Sequence, residues 1–292
     1  MNCTIRNTIA LGTFVLFGAV NAANAQTTTY ADGANHVINT DLGGQFLVLS
    51  HGNPARATPT SITVNLGAVI GNPNQSSYGV FLMDDSIATF NGGNVSIVGT
   101  GGATLYLTGS SNTTIYGGSF SNGIASNIIY GQSSGSLDIY GGTFSAGAKS
   151  NALFASRMGS VSIYGGTFTT GDLGADIDSG RSNRVDIYGG LFSVGADGLG
   201  FVASNQDINF YGQNLKFTPT GIDSFGHTDG ILTGTLQGGS SLNIAAQTFP
   251  GFKFNFISAT VVPEPGNIAL PFGMITIGAA RKRRSLKGNL QK

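Results

Sequence analysis

Tyrosines recur through the middle of the chain at a spacing that would align them in a folded repeat. Four of them stand in identical Ile-Tyr-Gly-Gly segments at a constant 24-residue interval, and a fifth follows one position short of that interval. They are Tyr116, Tyr140, Tyr164, Tyr188 and Tyr211. A file of aromatic rings could bind a sugar chain, because apolar ring faces pack on sugar C–H groups. The same file could instead stack ring on ring and fix strand register.

Acidic residues cluster at Asp172, Asp176 and Asp178. Alternation around Ile177 predicts that Asp176 and Asp178 both point to solvent. Carboxylates on one face could bind calcium or act as acid and base in polysaccharide cleavage. The segment matches only part of a calcium-binding loop, and no glutamate follows to complete it. A solvated, salt-bridged face is therefore the simpler interpretation.

No other constellation of reactive side chains emerges from the sequence. His36, His51 and His227 are isolated, and the Gly-Gly pairs lack the spacing of a phosphate-binding loop. The repeats between residues 99 and 202 keep a constant length without insertion. Solenoid enzymes need long loops to wall a cleft. The sequence therefore predicts a protein without catalytic residues or a required cofactor, with calcium as the candidate ion.

A 24-residue repeat determines the expected fold. An apolar column keeps this spacing over six copies, four phenylalanines follow the tyrosines in step, and glycines form a third column. The three sets are Phe81, Leu105, Ile129, Leu153, Ile177 and Phe201; Phe120, Phe144, Phe168 and Phe192; and Gly99, Gly123, Gly147, Gly171 and Gly195. We expect the first two sets to form buried stacks. The third set and the Gly-Gly pairs should be corners with positive φ.

Each repeat contains short runs in which apolar and polar residues alternate. Leu137 and Ile139 alternate with Asp138 and Tyr140 before two glycines interrupt the run. Period-two alternation indicates a strand with one buried face, and strands this short enclose a core only when repeats stack. The sequence thus predicts an all-β protein, a single parallel β-helix (β-solenoid) with 24-residue coils.

The flanks of the repeat are less regular than its centre. We expect an N-terminal cap with irregular first coils at residues 26–75, regular coils at 76–217, and a cap of strands at 218–260. Alternation at 231–237 and 241–247 around Gly238-Gly239 predicts a hairpin in the second cap. Caps are expected because an open solenoid end is an unpaired strand edge.

Residues 1–25 have the pattern of a secretory signal peptide. Arg6 precedes an apolar run at 9–20, and small residues lead to Ala25, so cleavage would leave Gln26 as the new N-terminus. The apolar run is too short to span a bilayer. The single cysteine, Cys3, lies in the segment that would be removed. The mature chain is therefore expected to contain no disulfide.

The C-terminal segment, residues 261–292, combines three features in order. They are Pro263, Glu264 and Pro265; an apolar stretch at 267–280; and Arg281, Lys282, Arg283 and Arg284. This arrangement resembles the PEP-CTERM sorting signal of Gram-negative bacteria. The resemblance implies a short apolar helix held in the inner membrane, cleavage near the Pro-Glu-Pro by an exosortase as processing partner, and an association with biofilm matrix. The basic cluster fits a cytoplasmic stop.

The C-terminal segment is basic, whereas the rest of the predicted mature chain, called here the body, is acidic. The whole chain has 14 basic and 14 acidic residues, but residues 26–262 contain seven basic and 13 acidic side chains, a net charge of −6. An acidic body without a basic stripe is not expected to bind nucleic acid.

Together these features predict an exported, non-enzymatic structural or adhesive protein of the cell surface or extracellular matrix, with exopolysaccharide as the candidate partner. One alternative is a polysaccharide lyase or hydrolase with the acidic cluster as its site. Another is a carbohydrate-binding module that uses the tyrosines. A third, ice binding, would rest on the column Ser119, Thr143 and Thr167, which Leu191 interrupts.

Overall fold

A computed structural model describes residues 27–42, 44–50, 58–72 and 78–260. Within these ranges the chain forms 25 strands, numbered here in chain order, and no helix. The strands stack as parallel sheets around one core with about 24 residues per turn, so the predicted parallel β-solenoid is confirmed. No helix long and apolar enough to cross a membrane occurs in the described ranges. The predicted signal peptide and sorting tail lie outside them.

Sheet 1 is a parallel stack that takes one strand from each coil. Its strands are β1 (Thr27–Tyr30), β3 (Phe46–Leu49), β6 (Tyr78–Leu82), β9 (Ala103–Gly109), β12 (Asn127–Ser133), β15 (Asn151–Phe154), β18 (Ala175–Asp178), β21 (Leu199–Ala203) and β24 (Ser241–Thr248). Sheet 1 contains the column Ile129, Leu153 and Ile177, whose members pair directly and are fully buried, as predicted.

Sheet 2 follows sheet 1 in each coil and is also parallel. Its strands are β2 (Asn35–Ile38), β4 (Ser61–Val64), β7 (Ile87–Phe90), β10 (Asn112–Ile115), β13 (Ser136–Ile139), β16 (Ser160–Ile163), β19 (Val185–Ile187), β22 (Ile208–Ile222) and β25 (Phe254–Ser258). Its inner face carries Ile115, Ile139, Ile163 and Ile187, all fully buried.

Sheet 3 completes the coil with shorter strands. They are β5 (Val69–Asn72), β8 (Asn94–Ile97), β11 (Ser119–Ser121), β14 (Thr143–Ala146), β17 (Thr167–Thr170) and β20 (Leu191–Val194). The expected phenylalanine stack lies on its inner face. Phe120, Phe144, Phe168 and Phe192 stack with centroid separations of 5.0, 4.7 and 5.0 Å.

The C-terminal end departs from the coil pattern. Strand β23 (Thr228–Leu236) runs antiparallel to both β22 and β24, and β23 and β24 form the hairpin expected around Gly238-Gly239. Through β24 this hairpin pairs with β21, so its backbone occupies the edge of sheet 1 that an open solenoid end would leave exposed.

The prediction that Phe81 belongs to the buried apolar column is wrong. Val80, not Phe81, pairs with Leu105, and Phe81 pairs with the outward Tyr106. Val80 is fully buried, whereas Phe81 is half-exposed. The coil that joins β6 to β9 is one residue longer than the four coils that follow it, so the 24-residue spacing from Phe81 to Leu105 crosses from the outer face to the inner face.

The predicted glycine corners prove to be of two kinds. The second glycine of each Ile-Tyr-Gly-Gly segment has positive φ, 112° at Gly118 and 103° at Gly142, as expected. The column from Gly99 to Gly195 has no member with positive φ. Glycine is needed there because of close backbone approach: a Cβ on Gly147 would lie 2.5 Å from the carbonyl oxygen of Gly123.

The left-handed corner lies two residues after that column and is mostly not glycine. Successive coils have Gly101, Ala125, Lys149, Leu173 and Asp197 at this position. The φ angle lies between 54° and 59° at the four residues that are not glycine. Each such residue costs roughly 1–2 kcal/mol in this conformation. Stacking on the neighbouring coils therefore imposes the left-handed turn regardless of residue type.

The buried column makes a direct test of the core possible. Leu153→Asp would place a charge in a fully apolar column, and we expect a loss of more than ~4 kcal/mol or outright unfolding of the central coils. Thermal unfolding followed by circular dichroism measures this loss of stability. Thr169→Asp, at an exposed position of sheet 3, is the control and should change little. A Leu153→Asp variant that melts with the wild type would refute this core.

Candidate functional site

The five tyrosines form one continuous column at the corner between sheets 2 and 3. Tyr116, Tyr140 and Tyr164 are 56%, 47% and 37% exposed, whereas Tyr188 and Tyr211 are half-buried. The first four lie directly after the last residue of their sheet 2 strands, such as Ile139 before Tyr140, whereas Tyr211 lies within β22. Three of the five tyrosines are thus exposed, and exposure decreases towards the C-terminal end of the column.

The rings of the tyrosine column stack on one another. Centroid separations along the column, from Tyr116 to Tyr211, are 5.1, 4.7, 4.8 and 4.2 Å, with interplanar angles of 18°, 7°, 6° and 20°. Each interior ring therefore has both faces covered by its neighbours. What the column presents outward is ring edges and hydroxyl groups. A sugar platform needs free ring faces, so the stacking favours the register-fixing interpretation.

An asparagine ladder occupies the same corner in the coils before Tyr116. Asn65 donates from Nδ2 to Oδ1 of Asn39 at 2.8 Å, and Asn91 donates in the same way to Asn65 at 2.9 Å. The pairing of Phe90 with Ile115 places Asn91 one coil below Tyr116. Identical side chains therefore stabilise this corner in both parts of the solenoid, first by hydrogen bonds and then by ring stacking.

A polar cluster lies beside the C-terminal end of the tyrosine column. The Asp186 carboxylate is buried and ion-paired with Arg184, with Nε–Oδ2 at 2.5 Å. It accepts hydrogen bonds from Asn209 at 2.9 Å and from the Tyr211 hydroxyl at 3.4 Å. Desolvation, hydrogen bonding with Tyr211 and the charge of Asp186 raise the pKa of Tyr188 well above its ordinary value. The Tyr188 phenol is therefore protonated at neutral pH.

A second aromatic column, which the sequence analysis missed, lies on the outer face of sheet 1. It consists of Tyr78, Phe81, Tyr106, Tyr130 and Phe154. The Gln132 side chain joins two of its phenols, accepting from Tyr106 at 2.9 Å and donating to Tyr130 at 2.7 Å. The 24-residue spacing of Tyr106, Tyr130 and Phe154 was the available signal. Each of them directly follows a residue of the buried apolar column.

The three aspartates of the acidic cluster do not converge. Asp172 is exposed and accepts the backbone N–H of Ala196 at 2.8 Å. Asp178 is half-buried and accepts from the Ser204 hydroxyl at 2.6 Å and the Gly180 N–H at 3.0 Å. Asp176 lies in the core. No group of three His, Cys, Asp or Glu side chains within the described ranges is placed to hold a metal ion.

The predicted outward orientation of Asp176 is wrong. Its side chain is fully buried, as are Ile177 beside it and Ala152 one coil below. Strand β18 starts at a bend where two consecutive side chains face the core, so strict alternation fails. The adjacent apolar pairs at 128–129 and 152–153 in the preceding coils were the sequence signal for this bend.

The Asp176 carboxyl is isolated within the core. Neither of its oxygens has a hydrogen-bond partner among the described residues, and the buried hydroxyl of Thr170 also lacks one. Burial raises the pKa of Asp176 to about 8, and the nearby Thr170 hydroxyl and Ser193 backbone offset only part of this effect. The carboxyl is therefore largely protonated in the folded protein at neutral pH.

The small polar column proposed for ice binding lies on the outer face of sheet 3. Ser119, Thr143 and Thr167 pair in register, and Leu191 follows them with 59% exposure. The interruption expected from the sequence is thus a projecting apolar side chain on an otherwise hydroxyl-bearing face.

Comparisons with known proteins give no relative for this architecture. No protein-family model, no curated protein and no solved structure matches the chain. The fold and the columns therefore stand as the observations from which function is inferred. The predicted cleavage site at Ala25 and Gln26, the Pro263–Pro265 motif and the basic cluster at 281–284 lie outside the described ranges.

Replacing Asp176 should stabilise the protein in a pH-dependent way. The folded carboxyl has a pKa of about 8 against 3.8 as the ordinary value. The unfolded chain therefore loses its proton first, and wild-type stability falls as pH rises from about 4 to 8. Asp176→Ala, which copies Ala152, should gain about 3 kcal/mol or more at pH 7 and little at pH 4.

Chemical denaturation across this pH range measures the Asp176 effect. Asp172→Ala, at an exposed carboxylate, is the matched control and should show no comparable gain with pH. A constant difference between the Asp176→Ala variant and the wild type from pH 4 to 8 would contradict a raised pKa.

The stacking of the tyrosine column predicts how it responds to truncation. Replacing Tyr140, Tyr164 and Tyr188 together by alanine removes all four ring contacts of the column, and we expect a loss of about 2–4 kcal/mol in unfolding free energy. The triple phenylalanine variant keeps the rings and should lose little. Retention on matrix polysaccharides should be the same for all three proteins. Polysaccharide binding that disappears in a still-folded alanine variant would establish a sugar platform instead.

Proposed function

We propose that this chain is an exported, non-enzymatic structural or adhesive protein of the cell surface or extracellular matrix. The observation that carries the proposal is the regularity of the coils. From β8 to β21 each coil contributes one short strand to each of three sheets, and the corners are tight turns. No stretch of the chain there is long enough to wall a cleft around a substrate.

The surface chemistry supports the same function. The acidic cluster, which the enzymatic alternative would need, places Asp172, Asp176 and Asp178 in three different environments. A shallow cavity of about 350 Å³ lies at the C-terminal end, between residues 212–215 and 256–258. Its seven lining residues include no ionisable side chain. A general acid and a general base need a shared reaction site, and these features do not supply one.

Association with exopolysaccharide forms part of the proposal. A candidate surface for it is the second aromatic column, whose rings are half-buried and not all parallel: the contacts Tyr78–Phe81, Phe81–Tyr106 and Tyr130–Phe154 are tilted by 40°, 32° and 37°. The Gln132 amide among them adds donors and acceptors that suit sugar hydroxyls.

Export and anchoring in this proposal rest on the two terminal segments. The signal peptide would direct the chain across the inner membrane, and an exosortase-type enzyme would cleave the tail near Pro263-Glu264-Pro265. The final location would then be the cell surface or extracellular matrix of a Gram-negative bacterium.

Expression of the full chain in an exosortase-containing Gram-negative host tests the proposal. Mass spectrometry of the matrix fraction should find a protein that begins at Gln26 and lacks residues 281–292. Changing Pro263, Glu264 and Pro265 to alanine should leave the chain in the inner membrane with its tail intact. Asn289→Ala, beyond the basic cluster, is the control and should be processed normally. A wild-type chain that stays in the cytoplasm would refute export.

The secreted protein also separates the structural proposal from the enzymatic one. Incubated with acidic polysaccharides, with and without calcium, it should bind without releasing reducing sugars or unsaturated uronates. Calcium-dependent release would favour the lyase alternative.

A further inference from the structure

We propose that the tyrosine column is an oxidation site that carries oxidising equivalents along its stacked rings to Tyr188 and Tyr211. The co-reactant is a one-electron oxidant, such as a peroxidase acting with hydrogen peroxide. The product is a tyrosyl radical that couples to a phenoxyl radical formed in the same way on a second molecule. This inference goes beyond the proposed function and does not depend on export or tail processing.

The first requirement is access for the oxidant, and the exposed end of the column provides it. Tyr116 and Tyr140 are 56% and 47% exposed, and the edges of their rings carry the hydroxyl groups outward. An oxidant in solution therefore meets this end of the column more readily than the half-buried Tyr188 and Tyr211.

The second requirement is electronic contact between successive rings. All four centroid separations lie between 4.2 and 5.1 Å, and no interplanar angle exceeds 20°. Electronic coupling falls steeply with distance, so transfer between rings in van der Waals contact is much faster than a jump across a gap. All five members are phenols in contact with their neighbours, so an oxidising equivalent can move along the column in either direction.

The third requirement is a proton acceptor where the radical comes to rest. A phenol that loses an electron becomes a strong acid, and it is stabilised as a neutral radical only when its proton leaves. The Tyr211 hydroxyl lies 3.4 Å from Asp186 Oδ1 and 3.3 Å from the Arg184 guanidinium that pairs with this carboxylate. In the described structure no hydrogen bond to a carboxylate is found for the hydroxyls of Tyr116, Tyr140 or Tyr164. The end of the column beside Asp186 is therefore where the radical should collect.

The reaction balances without any further component. Oxidation of Tyr211 passes one electron along the column to the oxidant and the Tyr211 hydroxyl proton to Asp186, which releases it to solvent. A tyrosyl radical and a phenoxyl radical from a second molecule then form a carbon–carbon bond between ring carbons ortho to the oxygens. The ortho hydrogens move to the oxygens and restore both phenols, so two electrons and two protons leave in all. Between copies of this chain the product would be a covalent cross-link.

The second aromatic column serves as an internal reference. Its Tyr106 and Tyr130 are also stacked, with centroids 5.1 Å apart, but their hydroxyls bond to the Gln132 amide rather than to a carboxylate. An amide is a far weaker proton acceptor than a carboxylate. This pair therefore has the ring contact of the tyrosine column without the feature that would hold the radical.

The experiment oxidises the folded chain and maps where a phenol probe attaches. Photoexcited ruthenium tris(bipyridine), with persulfate as electron acceptor, supplies the one-electron oxidant, and biotinylated tyramide traps the radicals. Peptide mass spectrometry then reports the label on each of the nine tyrosines. We expect severalfold more label on Tyr188 and Tyr211 than on Tyr116, although the latter is the most exposed member of the column. Label that follows exposure, with Tyr116 highest, would overturn the proposal.

Interrupting the column distinguishes transport from local reactivity. Tyr164→Phe keeps the stack, but the phenylalanine ring is much harder to oxidise. Charge must then jump from Tyr140 to Tyr188 across roughly 9–10 Å, two strand spacings. Label at Tyr188 and Tyr211 should fall severalfold and label at Tyr116 and Tyr140 should rise. The same change at Tyr106, outside the column, is the control. An unchanged pattern in the Tyr164→Phe variant would show that no transfer occurs along the rings.

The role of the carboxylate is tested separately. Asp186→Asn should spread label over the whole column, since no strong proton acceptor remains at its end. Asp138→Asn changes the outward carboxylate at the equivalent position two coils earlier and should leave the pattern unchanged. Because Asp186 is buried, Tyr211→Phe provides a milder variant that removes the hydroxyl and keeps the ring. The Tyr211→Phe variant should carry less total label on this end of the column than the wild type. If Tyr188 alone then carried all of the label and the total yield of label were unchanged, the assigned role of the Tyr211–Asp186 hydrogen bond would be contradicted.

Discussion

The structure depends on one constraint, the parallel hydrogen-bonded register between successive coils. Parallel ladders hold strands about 4.8 Å apart, and a repeat of constant length places the same position of every coil at that distance. Ring separations of 4.7–5.0 Å in the buried phenylalanine stack and of 4.7 and 4.8 Å in the middle of the tyrosine column follow directly from this spacing. The backbone spacing therefore determines which side chains contact each other. A side chain is stabilised in such a column when it can stack on an identical or similar side chain in the next coil.

Side chains that satisfy this constraint differ between the inside and the outside. Inside, branched aliphatic residues and phenylalanine stack without polar groups to satisfy. At the corner after sheet 2, the chain uses asparagine amides bonded to one another and then tyrosines in ring contact. Asp176 is the exception, because it sits alone between Ala152 and Gly200 with no like neighbour and no hydrogen-bond partner in the described core. The pKa of Asp176 is raised because its carboxyl is buried without such partners.

The sequence could predict those features that depend on the period of the repeat and on the alternation of buried and exposed residues. Wherever the 24-residue spacing was kept and one face was buried, as at Leu153, period and alternation together located the side chain correctly. Phe81 was misplaced because one coil is a residue longer, and Asp176 because a bend turns two neighbours inward. The left-handed residues such as Lys149 and Leu173 carry no local signal, since stacking rather than residue preference fixes their φ. The buried columns and the Gly-Gly corners were thus largely predictable, whereas the left-handed corners formed by other residues were not.

The same register limits what the surfaces can do. Parallel stacking at one strand spacing covers the faces of like rings, so a column of five tyrosines offers edges and hydroxyls where five isolated tyrosines would offer faces. That geometry is poor for packing on sugars and good for contact between rings. Residue type therefore does not determine the chemistry of such a column by itself. The polar cluster of Arg184, Asp186 and Tyr211 gives the two ends of the column different environments, and it is this asymmetry that makes a directional property possible on a repetitive scaffold.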